Sequence, residues 1–379
     1  MSINLSQTDE QIDEQKKDNS DTLVGRVAKF LLKFNTIPLS EKLFFIQYLG
    51  IMLKSGIPLS ISLNTLSVQT TNKRFSRVIK DVATNVEKGT TFTESLKPHE
   101  KVFGQFFINM IESGEISGKL EEALVQLYIQ FKKQYELTSK VRGAMTYPVV
   151  ILTAMLGIGT FMMLVVVPQI TVMFKEFDAE LPFMTKLIIS ISNGLAQHSI
   201  LFLISIVLFI IFMTSILKTH KGKYIFQLIL LKSPIFSSII KKINLARFSR
   251  TISSLLKTDI MIVKSFQITA GVIGNLHYRK AINEMADKIK KGEKINEAIS
   301  CYPKLFPPAV IQMISVGEET GELDYILGEL AQFYENEVDQ IMNNLPSIIE
   351  PILILTLGIV VGGMAVAIIM PMYTITSSM

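Results

Sequence analysis

The chain has one cysteine, Cys301, no tryptophan and four histidines, and each scarcity removes a class of chemistry. A single thiol cannot close a disulfide within the chain or build a cysteine zinc cluster. His99, His198, His220 and His277 are too scattered along the sequence to suggest a histidine metal site. Catalytic signatures are missing as well: there is no Gly-x-x-x-x-Gly-Lys-Ser/Thr phosphate loop, no His-Glu-x-x-His helix and no Gly-x-Ser-x-Gly elbow. No catalytic, cofactor-binding or metal-binding residue is therefore expected, and work that needs ATP must come from a partner. The first 22 residues have no apolar core, which excludes a signal peptide; their Asp, Glu, Gln, Ser and Asn content reads as a disordered cytoplasmic tail, extended here to residues 1–39.

What the chain has in abundance is apolar residues, 49% of 379, with a mean hydropathy of +0.38. That is too apolar for an ordinary soluble protein, while 19% charged residues is too many for one wholly in lipid. Three windows, 148–170, 198–217 and 351–370, contain no Asp, Glu, Lys or Arg and reach the roughly 20 residues that a bilayer-crossing helix needs. Basic residues crowd beside the first two: Lys132, Lys133, Lys140 and Arg142 precede one, and Lys218, Lys221, Lys223 and Lys232 follow the other. The positive-inside rule then puts both flanks in the cytoplasm, with 171–197 as a short extracytoplasmic loop. No Lys or Arg follows Lys304, so the third span is oriented by parity alone, which sends residues 371–379 outside as a tail. The net charge of +5 is explained by topology and not by nucleic acid.

The sequence also contains itself twice. A shift of 203 positions (351 − 148) superposes Pro148 on Pro351, Pro168 on Pro371, Leu53-Lys54 on Leu256-Lys257 and Lys88-Gly89 on Lys291-Gly292. Phe103 then falls on Phe306, and roughly a fifth of the pairs over Phe45–Pro168 are identical, well above chance. Each copy shows helical periodicity broken by Gly and Pro, with no sustained alternation. In the first, Ser40 is a candidate cap, Gly56 and Gly89 end helices, and Thr91-Phe92-Thr93-Glu94 is a capping box. The expected fold is all-α: two tandemly repeated cytoplasmic six-helix bundles, 40–147 and 218–350, attached to three transmembrane helices.

A Gly-Glu-x-Ser/Thr-Gly-x-Leu run occurs in both copies, as Gly114, Glu115, Ser117 and Gly118 and as Gly317, Glu318, Thr320 and Gly321. It reads as a corner in which Gly114 ends one helix in a left-handed conformation and Ser117 caps the next; a partner or cation site at Glu115 and Glu318 is the alternative. Gly358 and Gly362 form a Gly-x-x-x-Gly face for helix contact, set against the general abundance of glycine in such helices. Glu350, just before Pro351, is either an interfacial carboxylate reaching water or a functional intramembrane acid. Between Glu318 and Asp339 the second copy carries only acidic charge, including Glu335 and Glu337, either as a solvated face or for complementary docking between or within protomers.

The Leu53–Leu59 start, the glycine-glutamate corner, Tyr147-Pro148, the Val166–Pro168 ending, Leu181-Pro182 and the whole order again with Glu350-Pro351 resemble the type II secretion system F family. The resemblance spans roughly residues 40–375. It implies a multi-pass inner-membrane platform of a type IV pilus or type II secretion machine with a cytoplasmic N-terminus. It also implies a cytoplasmic hexameric assembly or retraction ATPase, pilin or pseudopilin, other inner-membrane assembly proteins, lipid and further copies of the chain as partners, with no direct nucleic-acid contact. A tight-adherence or archaeal-type pilus platform is the nearest alternative. A transporter would need polar or broken spans around a midplane site, and a membrane enzyme a catalytic cluster.

Overall fold

The computed structural model describes residues 37–169, 171, 183–234 and 236–378; the expected tail up to residue 36 and residues 172–182 of the expected outer loop lie outside them. Helices account for the regular structure among the described residues. In the first repeat they are α1 Leu39–Lys54, α2 Leu59–Gln69, α3 Lys73–Glu87, α4 Phe92–Leu96, α5 Gln105–Ile116 and α6 Leu120–Phe161, with a further short helix, Glu100–Phe103, between α4 and α5. Then come α7 Phe183–Gln197, α8 Ser199–Lys218 and α9 His220–Lys232. The second repeat is α10 Phe236–Leu256, α11 Ile262–Val272, α12 Leu276–Lys290, α13 Ile295–Ser300, α14 Pro308–Thr320 and α15 Leu323–Ser378. Shifting α2 and α3 by 203 gives the bounds of α11 and α12, so the duplication extends to where helices start and stop.

Local chemistry explains those bounds. Asn72 accepts hydrogen bonds from the Arg74 and Phe75 N–H groups at 3.1 Å, and Asn275 does the same for His277 and Tyr278 at 3.0 and 3.3 Å. Thr91 accepts from the Glu94 N–H, as its capping box predicts. Ser40 does not cap α1: the helix starts at Leu39, two residues before the expected Glu41, and Pro38, which lacks a side-chain acceptor, holds the N-cap position. After α1 the chain turns through Gly56 at φ 79°, and after α10 through Asp259 at φ 58°. The second copy thus keeps the left-handed turn after losing the glycine, as Asp tolerates better than most residues.

The chain forms two compact units. The first comprises the described residues up to Tyr135 together with Ser254–Val272. Its core packs Phe45, Leu49, Leu66, Phe75, Phe103 and Phe107 with Leu255 and Ile268 of the second repeat. Phe45, Phe75 and Phe103 form a ring trio with centroids 5.5–5.9 Å apart. The second unit comprises Glu136–Ser253 and the described residues from Ile273 onward. Phe248, Tyr278 and Phe306 repeat the trio there, with centroid distances of 5.1 and 5.5 Å from Phe306 to the other two. The added hydroxyl of Tyr278 is satisfied by the Leu305 carbonyl at 2.7 Å; burial pushes its pKa well above the usual phenol range.

Among the described residues two helices, and not the three expected, are long and apolar enough to cross a membrane: Leu120–Gln169 and Leu323–Gly363. Neither breaks at the proline expected to open its span: Pro148 lies inside α6, and α15 passes through Pro351 and on through Pro371. An interior proline removes one ladder hydrogen bond, and the bonds on either side keep the helix continuous. Pro168 leaves a different trace. It has no N–H for the Leu164 carbonyl, and the backbone over Met162–Val166 widens into a π turn. There Ser192 Oγ, fully buried on α7, donates to the Met163 carbonyl at 2.5 Å. The segment 183–197, expected as loop, is therefore helical, and it packs against the π turn and α15.

Candidate functional site

The glycine-glutamate corner is shared by both copies in sequence and in geometry. Glu115, near the end of α5, reaches the start of the short helix α4. Its Oε1 accepts from the Phe92 N–H at 2.7 Å, and its Oε2 accepts from the Thr93 N–H at 2.9 Å and the Thr93 hydroxyl at 2.6 Å. Glu318 does the same to α13, accepting from the Ile295 and Asn296 N–H groups at 2.8 and 3.1 Å. The first N–H groups of a helix have no partner within it, and a carboxylate supplies both an acceptor and a favourable charge. Each glutamate thus fastens a short helix to the corner. Both of its oxygens are engaged, so a cation would have to displace N–H donors to bind.

The glycines divide the remaining work differently from the sequence expectation. Gly118 and Gly321 take the left-handed turn, at φ 71° and 76°, whereas Gly114 and Gly317 are helical. Those two are small because helices meet there: a Cβ on Gly114 would lie 2.6 Å from Ala123 Cβ, and one on Gly317 would lie 3.1 Å from Leu323 Cα. Ser117 and Thr320 do not cap the next helix. Their hydroxyls donate back, Ser117 to the Ser113 carbonyl at 2.8 Å and Thr320 to the Val316 carbonyl at 2.9 Å, closing the helix that ends.

Beside the first corner lies a pocket of about 290 Å³ in which Lys54, Lys119 and Lys257 face Glu121, Glu122 and Asp259. Lys54 and Lys257 are repeat equivalents, and the lining charges balance. Among the described residues no group of three His, Cys, Asp or Glu is placed to hold a metal ion.

Three acids of the acidic stretch are paired within the second unit. Arg250 grips Glu335 with two bonds of 2.8 and 2.9 Å, Lys242 pairs with Glu337, and Lys140 pairs with Asp339. Docking within the chain is thus the reading that holds for these three acids. Glu350 is exposed, and a Cβ on Gly358 or Gly362 would meet open space. Sequence reasoning missed the Asn72 and Asn275 caps and the aromatic trios; both were available as coincidences under the same shift of 203.

The sequence model of one family, described as "Type II secretion system (T2SS), protein F", matches this chain twice, over residues 45–168 and 248–371. Similar curated proteins include the type IV pilus assembly protein PilC of Thermus thermophilus, 34% identical over 90% of this chain and 84% of that protein. PilC of Myxococcus xanthus is 32% identical over 91% and 82%, and the type II secretion system protein F of Vibrio cholerae 28% identical over 88% and 82%.

Proposed function

Because this chain belongs to the type II secretion system F family, we propose that it is the inner-membrane platform of a type IV pilus or type II secretion machine, coupling a cytoplasmic hexameric ATPase to the assembly of pilin or pseudopilin. The observation that carries this reading is the doubled family match, end to end with two helices that run unbroken from packed module into apolar span. At 1.5 Å per residue, the 50 residues of Leu120–Gln169 make a rod of about 75 Å, longer than a bilayer is thick. In this reading that helix carries a push on the module into lipid. The glutamate clamps and glycine contacts at the corner serve the same end, because they join the short helix to the base of each rod.

In this reading Ser199–Lys218 is a third span, both modules are cytoplasmic six-helix bundles, and the chain works as a homo-oligomer that hydrolyses no nucleotide itself. Basic residues flanking the first two spans support that orientation. Deletion of the chain in its own cell is the test. Loss of surface pili or of secreted substrate, restored by the intact chain, and co-isolation of an ATPase with it from membranes are expected. Wild-type levels of both outputs in the deletion strain would end the proposal.

A further inference from the structure

Helix α9 begins where α8 ends. Thr219, the only residue between them, accepts from the Gly222 N–H at 3.1 Å, and a Cβ on Gly222 would collide with the Ile216 carbonyl. The first turn of α9 is therefore folded onto the last turn of α8, and the chain turns sharply aside from the axis of α8. One face of α9 is fixed to the start of α12. Gln227 Oε1 accepts from the Leu276 N–H at 2.7 Å, Gln227 Nε2 donates to the Gly274 carbonyl at 3.3 Å, and the Tyr224 and His277 ring centroids lie 4.0 Å apart.

A second face of α9 is bare and patterned. Lys221, Ile225, Leu228, Ile229 and Lys232 follow the i, i+4, i+7, i+8, i+11 spacing of a single helical stripe. Ile225 is 57% exposed, Leu228 37% and Ile229 61%, and an exposed lysine stands at each end. No Asp or Glu occurs between Glu180 and Asp259, whereas Lys218, Lys221, Lys223 and Lys232 crowd around this helix. Such a stripe matches a surface that is apolar beneath and anionic above, as the headgroup boundary of a bilayer is. The helix cannot cross: its 13 residues rise about 20 Å against a hydrocarbon core of about 30 Å. Nor does α10 extend it through lipid, since the two are bent by 110° and α10 pairs Lys242 and Arg250 with acids of α15. We propose that α9 lies along the cytoplasmic boundary of the bilayer, with Ile225, Leu228 and Ile229 among acyl chains and Lys221 and Lys232 at anionic phospholipid headgroups. Through Gln227 it then ties the start of α12, and with it the second repeat, to the membrane surface.

The placement rests on α8 being a span, as read above, and the test separates the two. The full chain, with Cys301→Ser to remove the native thiol, is reconstituted in nanodiscs containing phosphatidylglycerol. Spin labels are attached one at a time at Phe209→Cys on α8, at Ile225→Cys and Ile229→Cys on α9, and at Glu297→Cys, an exposed site on α13. Collision with oxygen, which concentrates in lipid, is compared with collision with a water-borne nickel chelate. The Ile225 and Ile229 labels should favour oxygen several-fold more than the Glu297 label and less than the Phe209 label. Lys221→Glu with Lys232→Glu should shift the Ile229 label several-fold toward water, because each lysine near an anionic surface contributes about fivefold. Pure phosphatidylcholine should shift it the same way. Labels on α9 as wet as that at Glu297, or shielded from both reagents by a second copy or another protein, overturn the proposal; a Phe209 label in lipid then leaves the span and the platform reading standing. An Ile229 label unmoved by charge reversal and by neutral lipid overturns the headgroup contact. A Phe209 label in water overturns the span, and the placement of α9 with it.

Discussion

Glu115 and Thr93 are joined twice, once through the Thr93 N–H and once through its hydroxyl, both to the same carboxylate oxygen. Nothing in the local sequence around Thr93 calls for this bond. It exists because α5 brings a carboxylate to a helix start that would otherwise leave N–H groups unsatisfied. Glu318 repeats the arrangement at 22 and 23 residues' separation, the same spacings as in the first copy.

Replacing Glu115 by Gln leaves one carbonyl oxygen where two charged oxygens stood, and points an NH₂ at an N–H donor. A loss of about 1–3 kcal/mol is expected, the range for removing a partner from part-buried donors. The thermal midpoint of the detergent-purified chain should fall for Glu115→Gln and for Glu318→Gln. A chelator should leave the wild-type midpoint unchanged, since the carboxylate oxygens are held by N–H groups; a drop with chelator would reinstate the cation reading.

The corner glycines should separate by mechanism. Gly114→Ala forces a methyl onto Ala123 and costs about 1–3 kcal/mol through overpacking. Gly317→Ala meets its nearest atom at 3.1 Å and should cost less than Gly114→Ala. Gly118→Ala has open space but a left-handed backbone, so its cost of about 1–2 kcal/mol is conformational. Gly118→Asn should recover much of that loss in a denaturation midpoint, and Gly114→Asn should recover none.

Tyr278→Phe converts the second aromatic trio into the chemistry of the first, where Phe75 stands in its place. The hydroxyl's bond to Leu305 is lost and that carbonyl loses a donor, so a cost of about 1 kcal/mol is expected. Limited proteolysis of the second repeat should speed up accordingly while the first repeat is unaffected.

Much of this fold is written in the repeat. Gly56, Gly89, Thr91 and the proline pairs mark helix ends or span register by types that act locally; the shift of 203 repeats Gly89 and the prolines, while Asp259 and Lys294 stand where Gly56 and Thr91 would recur. Local signals failed where the cause was tertiary. Gly114 looks like any helix-terminating glycine, and only the approach of Ala123 reveals that it is a contact residue. Residues 183–197 follow an acidic stretch of sequence, yet they are helical, packed on a π turn that Pro168 leaves behind. Charge pairing was invisible for the same reason: Arg250 and Glu335 are 85 residues apart in sequence.

That pair carries the last prediction. The Arg250 and Glu335 side chains are only 17% and 7% exposed and share a bidentate bond, whereas Lys140 and Asp339 are 44% and 31% exposed. Breaking a buried pair leaves a charge without water or partner, which costs about 3–5 kcal/mol, while an exposed pair contributes about 0–1 kcal/mol. Glu335→Ala should therefore lower the amount of folded protein in the membrane sharply, and Asp339→Ala should not. Because the penalty belongs to the stranded charge and not to the lost attraction, Arg250→Met combined with Glu335→Leu should be close to wild type in thermal midpoint. Equal loss from Glu335→Ala and from the double variant would show instead that the ion pair itself holds α10 to α15.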